Sequence, residues 1–392
     1  MDISRMTEEQ KMIVGFTKDF AKKFNREYWL SKARVREFPV EMWKELGKSG
    51  YIGMMVPTEY GGAGYGLNEL RILLQSLAEQ GLVTLAFITH PMGQILLVRH
   101  GTEEQKRKYL PNMCSGESYF SFAITEADAG TNSYKIKTFA EREGDHYVLN
   151  GQKVFISGAK ESDHMVVIAR TKPYEEVKDI DKRKGFSIFI VDTKAKGLSM
   201  DEIETDLLMI PEKQYIVYFD NVKVPVEDRV GEEDRGFFYL FDLLNVERIV
   251  TACTCIGVGK YVLNKAVNYA KERIIFDDPI GAYQAVQHPL ARSYVNLELA
   301  ELVTERAATA FDNKENPQIV GKYTNIAKLV ASEFAYKACD VAIQVHGGYG
   351  FVTEYDIITC LAWLRTARVA PVNNEMILNF IGQHILGLPK SY

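Results

Sequence analysis

The sequence predicts an α+β protein in three consecutive parts: a helical region over residues 1–118, an antiparallel β-region over 119–232, and a C-terminal four-helix bundle over 233–392. Two observations predict it. Apolar residues recur at helical spacing towards both ends of the chain but alternate every second residue in the middle. The strands are also grouped together rather than interleaved with helices, which excludes a parallel nucleotide-binding sheet. The length agrees, because 392 residues exceed what one simple core holds.

In the first part, Met12, Ile13, Phe16 and Phe20 mark a helix over 8–24, and further helices are expected over 41–50, 67–80 and 102–113. Thr102-Glu-Glu-Gln105 has the capping-box pattern that starts a helix. Tyr60-Gly-Gly-Ala-Gly-Tyr-Gly66 looks like a phosphate loop, but no strand precedes it and the spacing fits neither nucleotide-binding pattern, so a turn between helices is expected. In the middle part, candidate strands are 120–125, 146–157, 164–170, 185–192 and 214–224, and the charged run 172–184 reads as a solvated hairpin loop. Helices then return over 237–272, 283–311 and 327–346, with a last one near 376–386 after Pro371.

A net charge of −5 without any basic block argues against nucleic acid or an anionic membrane as the main partner. The first ten residues are polar and acidic, unlike a signal or transit peptide, and no window is apolar enough for a membrane span. The five cysteines are scattered in apolar surroundings, and the expectation is reduced thiols in a cytoplasmic protein. No spacing of His, Cys or carboxylates predicts a metal site.

Several segments could carry chemistry. Phe120–Asn132 is an alternating apolar run (Phe122, Ile124) that ends in a small polar loop (Thr125, Gly130, Thr131). Asn150–Ser157 is a second strand that delivers Phe155 and Ser157. Together they could set backbone N–H groups and a ring against a flat heterocycle, or form an ordinary β-corner. Glu247 has Leu243, Leu244, Val250 and Thr251 one turn away, so its carboxylate loses hydration and could act as a general base. It could equally be a surface residue beside Arg248. Arg273 ends a helix before a Pro-Ile-Gly turn, where it could grip a diphosphate or simply favour the helix C-terminus. Gln344-Val-His-Gly-Gly-Tyr-Gly350 follows another helix, and Gly347 and Gly348 permit close backbone approach. Near the end, Asn373 or Asn374 would cap the last helix, with Glu375 in its first turn.

In this order and spacing the segments resemble the acyl-CoA dehydrogenase family of flavoproteins over nearly the whole chain. Thr125-Glu-Ala-Asp-Ala-Gly-Thr-Asn132 is similar to the family's flavin-contacting Thr-Glu-Pro-x-Ala-Gly-Ser-Asp, and Asn150–Ser157 to its Asn-Gly-x-Lys-x-Trp-Ile-Thr/Ser. Arg273-x-x-Phe276 with Gln284, and Gln344-x-x-Gly-Gly-x-Gly350, match the parts that bind the FAD diphosphate and adenosine half. The resemblance implies FAD as cofactor, a fold of the kind described above, and a glycine segment that reaches the FAD of a neighbouring subunit. It therefore also implies a homo-oligomer, a dimer at least and a tetramer in full.

The chain departs from the pattern in four places. Phe155 stands for Trp, Ala127 for Pro, and Phe276-Asp277 for Phe-Gly. Many members carry the base in Tyr-Glu-Gly-Thr before the last helix, where this chain reads Val-Asn-Asn-Glu375 and places Asn374. The isovaleryl-CoA and long-chain types instead keep the base on the earlier helix before an Arg, as in Val246-Glu-Arg-Ile249. The resemblance thus implies Glu247 as base, with Glu375 as second choice, and Arg248 and Asn374 at the substrate. The implied reaction is α,β-dehydrogenation of an acyl-CoA, with electrons passing to an electron-transferring flavoprotein. Alternatives are the reductase direction, a desulfinase-like lyase, an oxidase, or a non-catalytic flavin scaffold.

Overall fold

The structure is a computed structural model that describes residues 3–205, 210–370 and 372–390. Pro371 lies outside the described residues. Helices α1 (Glu8–Lys23), α2 (Arg26–Val35), α3 (Val40–Lys48), α4 (Leu67–Glu79), α5 (Ala86–His100) and α6 (Glu103–Ser115) come first. The capping box at Thr102 is present: its side chain accepts from the Gln105 N–H while Gln105 returns a bond to the Thr102 N–H. The glycine-rich segment is a turn, with Gly61 and Gly64 at φ 86° and 70°. It ends at α4, whose first N–H groups are capped by Asp312, distant in sequence, at 2.8 Å from Leu67 N and 2.9 Å from Asn68 N. The helices over 26–35 and 86–100 were not expected. The first is short and charged, and the second carries Pro91 in its interior.

Strands β1 (Phe120–Ala123), β2 (Phe139–Glu143), β3 (His146–Ser157), β4 (His164–Arg170), β5 (Phe186–Asp192), β6 (Leu198–Ile203), β7 (Gln214–Pro225) and β8 (Arg229–Val230) follow. They form one eight-stranded sheet in the order β6-β7-β3-β2-β4-β5-β8, with β1 beside β4. The antiparallel expectation holds for most pairs and fails at two, since β1 and β2 both pair with β4 in parallel. Between β4 and β5 the charged run includes a helical turn, α7 (Tyr174–Val177). Alternation sends Val166, Ile168, Ile188 and Ile190 into the large core shared with the helices, and Val167, Ala169, Phe189 and Val191 into a second core on the other face.

The last part is dominated by three long helices, α8 (Gly236–Glu272), α9 (Gln284–Asp312) and α10 (Pro317–His346). A two-strand hairpin, β9 (Ile274–Ile275) with β10 (Asp278–Pro279), separates α8 from α9. The fourth position of the expected bundle is filled by two short helices, α11 (Ile358–Thr366) and α12 (Asn374–Phe380), which pack on α10. α10 starts ten residues before its expected start because Asn316 caps it and Pro317 occupies its first turn.

Candidate active site

The two β-region motifs turn out to be joined. Lys153 is fully buried, and its Nζ donates to the Ile124 carbonyl and to Glu126 Oε1, both at 2.9 Å. Glu126 also accepts the N–H groups of Lys137 at 2.6 Å and Thr138 at 2.9 Å. A buried ion pair satisfied on both sides fixes the 125–132 loop against β3. Burial pushes the Lys153 ammonium down to about 8, and Glu126 works against that shift.

Phe155 sits at a β-bulge. Lys153 pairs with Val217 and Ile156 with Tyr215, so β3 carries one extra residue there. The bulge puts Phe155 at φ 59° and leaves its ring 60% exposed. Ser157 beyond it donates to Gln214 Oε1 at 3.1 Å. The Thr125 carbonyl accepts from Val154 N–H at 2.9 Å, while Phe122 and Ile124 are half-buried against the helical core. A Cβ added at Gly130 would meet nothing within 4 Å. Thr131 is exposed, and its hydroxyl accepts from Asn373 Nδ2 at 2.9 Å. That bond ties the loop to the N-cap of α12 across a cleft of about 530 Å3, which Arg365, Arg368 and the exposed Glu375 also line.

Glu247 lies on α8, 8% exposed, and its Oε2 has no hydrogen-bond partner. Burial pushes its carboxyl up to about 8, with Arg248 and Lys328 opposing. Arg248 is equally buried, donates from Nη1 to Asn245 Oδ1 at 3.1 Å, and leaves Nε without a partner. Burial lowers the pKa of its guanidinium to about 10. An unpaired buried carboxylate next to an under-satisfied guanidinium costs stability and marks a candidate functional site.

Asn374, expected at the substrate, has partners within the chain. Its side chain is 1% exposed and faces α10, where Oδ1 accepts from Lys328 Nζ at 2.9 Å and from Ser332 Oγ at 3.2 Å. Its backbone N–H donates to the Arg368 carbonyl at 3.1 Å. Both groups are thus engaged within the chain, the side chain with α10 and the N–H with the Arg368 carbonyl.

A second cleft, of about 1230 Å3, gathers Arg273, Phe276, Gln344, Gly347 and Gly348. Gln284 is exposed next to it, between the lining residues Tyr283 and Ala285. Phe276 and Asp277 are the two turn residues of the β9–β10 hairpin, at φ 53° and 73°. A two-residue turn with both φ positive suits the twist of a hairpin, and Asp tolerates that region better than most residues. This accounts for the backbone role of Asp277. Phe276 is 87% exposed, and a Cβ at Gly348 would meet nothing within 4 Å. Lys328 is a residue the sequence reading missed. It is fully buried on α10 within Coulombic reach of Glu247. The only signal was a lysine inside the apolar run Asn325-Ile-Ala-Lys-Leu-Val-Ala331. Among the described residues no group of three or more His, Cys, Asp or Glu is placed to hold a metal, all five cysteines are free and buried, and no helix is long and apolar enough to cross a membrane.

These features fit a flavin dinucleotide. Open space over Gly130 and Gly348, and exposed rings at Phe155 and Phe276, are surfaces that the chain's own packing leaves unused. The three-part fold is that of a flavoenzyme of the acyl-CoA dehydrogenase class. The chain belongs to that family: its N-terminal, middle and C-terminal domain models match residues 7–117, 121–222 and 234–386. It is 39% identical over 387 residues to the acyl-CoA dehydrogenase FadE12 of Mycobacterium tuberculosis, covering 98% of each chain. It is 36% identical over 357 residues to the caffeyl-CoA reductase-Etf complex subunit CarC of Acetobacterium woodii, covering 90% of this chain and 91% of that one. Among solved structures, butyryl-CoA dehydrogenase from Megasphaera elsdenii superposes with a TM-score of 0.90 at 26% identity, covering 98% of this chain and 100% of the other. The protein is accordingly an oxidoreductase acting on CH–CH groups, with FAD as its cofactor.

Proposed function

We propose that the chain catalyses α,β-dehydrogenation of an acyl-CoA thioester, with Glu247 as the base. The observation that carries this reading is the unpartnered Oε2 of Glu247 in an apolar helix interface. Desolvation strengthens the carboxylate as a base, and Arg248 beside it limits how far its acidity falls. Glu247 takes the α-proton of the bound thioester onto a carboxylate oxygen, while the surrounding Leu243, Leu244 and Val250 keep water away. Bound FAD would supply the acceptor for the β-hydride, and an electron-transferring flavoprotein would take the two electrons onward. The 125–132 loop, Phe155 and Ser157 would hold the flavin ring end.

Arg273, Phe276, Gln284, Gln344, Gly347 and Gly348 would hold the diphosphate and adenosine end. Arg273 caps the end of α8, 26 residues beyond Glu247 and about 39 Å away. We therefore read these residues as serving the flavin of a second copy, in a homodimer at least and in a homotetramer when complete. We keep the division into residues 1–118, 119–232 and 233–392 as functional parts, with the flavin loop in the second and the base in the third.

A second reading is the reductase direction. With its carboxyl at about 8, Glu247 is mostly protonated at neutral pH and ready to deliver an α-proton. Similarity to a caffeyl-CoA reductase subunit favours the same direction. The test is anaerobic titration of the FAD-loaded protein with straight, branched and aryl acyl-CoAs, following the flavin absorbance and the product mass. Bleaching with a 2-enoyl product supports dehydrogenation. Reoxidation of the reduced protein by enoyl-CoA, without bleaching by any acyl-CoA, supports the reductase. Neither response supports a scaffold.

A further inference from the structure

α8 and α10 run side by side in the same direction, and three contacts fix their register. The Thr324 hydroxyl donates to Asn245 Oδ1 at 3.0 Å, a Cβ at Gly259 would lie 3.1 Å from Ala335 Cβ, and the rings of Tyr269 and His346 stack at 4.4 Å. Lys328, one turn past Thr324, therefore falls level with Glu247, Arg248 and Thr251. It has no exposed surface, yet its Nζ donates only to neutral groups, the Val372 carbonyl at 2.8 Å and Asn374 Oδ1 at 2.9 Å. A buried ammonium is normally matched by a carboxylate. Here the carboxylates within its field are Glu247 on α8 and Glu375 on α12. Arg248 and Cys255 face it from α8, and Glu333 reaches Asn374 Nδ2 at 3.5 Å from α10 itself.

The segment that Lys328 grips is also strained. Val372 is a β-branched residue at φ 54°, a conformation that persists only where surrounding contacts impose it. The next residue, Asn373, is the one that reaches Thr131 on the flavin loop. Lys328 thus anchors the 372–374 turn and places a cation, whose own pKa burial lowers to about 8, within Coulombic reach of Glu247.

We propose that Lys328 is a positioning residue for the reaction: it pins the 372–374 turn to the bundle and, through its charge, keeps Glu247 available as the anionic base. The proposal rests on the reading of Glu247 as the base. Two buried cations oppose protonation of Glu247, and removing one of them leaves Arg248 alone to do so.

The test uses the FAD-loaded protein and measures the rate of flavin bleaching by acyl-CoA against pH for wild type, K328M, K328R and the isosteric N374D. N374D puts a carboxylate on Lys328 and draws its charge away from Glu247. K328M and N374D should move the limb on which the rate rises with pH upwards by about one unit or more, and K328R should bring it back towards wild type. A limb unmoved in both K328M and N374D, whatever happens to melting temperature, overturns the proposal. If K328M does not fold, N374D alone decides in the same way. Wild-type bleaching by E247Q would instead sink the parent reading, so the two failures are distinguishable.

Discussion

At the scale of single residues, function here rests on charges held where water cannot reach them. Glu126 and Lys153 show the satisfied form, with each partner fully engaged. Glu247 shows the unsatisfied form, and that difference is why we assign chemistry to the second and loop-building to the first. The difference has a consequence for stability. Folding raises the Glu247 carboxyl from its ordinary value to about 8. The folded state therefore holds a proton that the unfolded chain releases, so this group's contribution is fully present below about pH 4.5 and lost as pH rises to about 8. E247Q should flatten that fall in melting temperature between pH 5 and 8, and an unchanged slope would place the titration elsewhere. Glu247 was legible in the sequence because its neighbours one turn away are apolar. Lys328 was not, since the 3.6-residue period says that a lysine is enclosed but not which charge on the neighbouring helix it faces. The inward turn of Asn374 was equally invisible, because it depends on Lys328.

At the scale of elements, close approach of helices sets where Glu247 sits. A Cβ at Gly257 on α8 would lie 2.5 Å from both the Cβ of Ala78 and the carbonyl oxygen of Gln75 on α4. G257A should push the helices apart and cost about 1–3 kcal/mol. Gly15 on α1 has nothing within 4 Å of the same position, so G15A should stabilise by about 0.5–1 kcal/mol through helix propensity. Chemical denaturation of both variants checks the contrast, and equal effects would contradict the packing account. The long helices and the buried strands could be read from sequence because burial on one face writes a period into the residues. The edge strand β6 (Leu-Ser-Met-Asp-Glu-Ile) and the charged β2 (Phe-Ala-Glu-Arg-Glu) could not, because most of their side chains face solvent. The parallel pairing of β1 and β2 with β4 is a matter of chain path, which local periodicity does not encode. The bulge at Phe155 likewise needs the register against β7, which only the fold supplies.

At the scale of the whole molecule, the proposed base and the residues read as the diphosphate end of a flavin site lie far apart, since Arg273 closes α8 about 39 Å beyond Glu247. On the proposed reading, one copy of the chain offers the ring end of one site and the diphosphate end of another. This arrangement makes the two groups separable by mutation. R273A homo-oligomers should lose FAD on gel filtration, and E247Q homo-oligomers should stay yellow. In oligomers co-expressed from the two variants, R273A subunits keep their own Glu247 and borrow Arg273 from an E247Q partner, so acyl-CoA bleaching should return in part. No recovery would argue that each copy holds its own flavin alone. The central claim is the base, and within this set the direct measurement is flavin bleaching of the E247Q protein by the acyl-CoA that bleaches wild type. The account predicts full FAD content with bleaching slowed by two or more orders of magnitude, while E375Q bleaches at close to the wild-type rate. Bleaching of E247Q at the wild-type rate, or its loss in E375Q with FAD still bound, would contradict it.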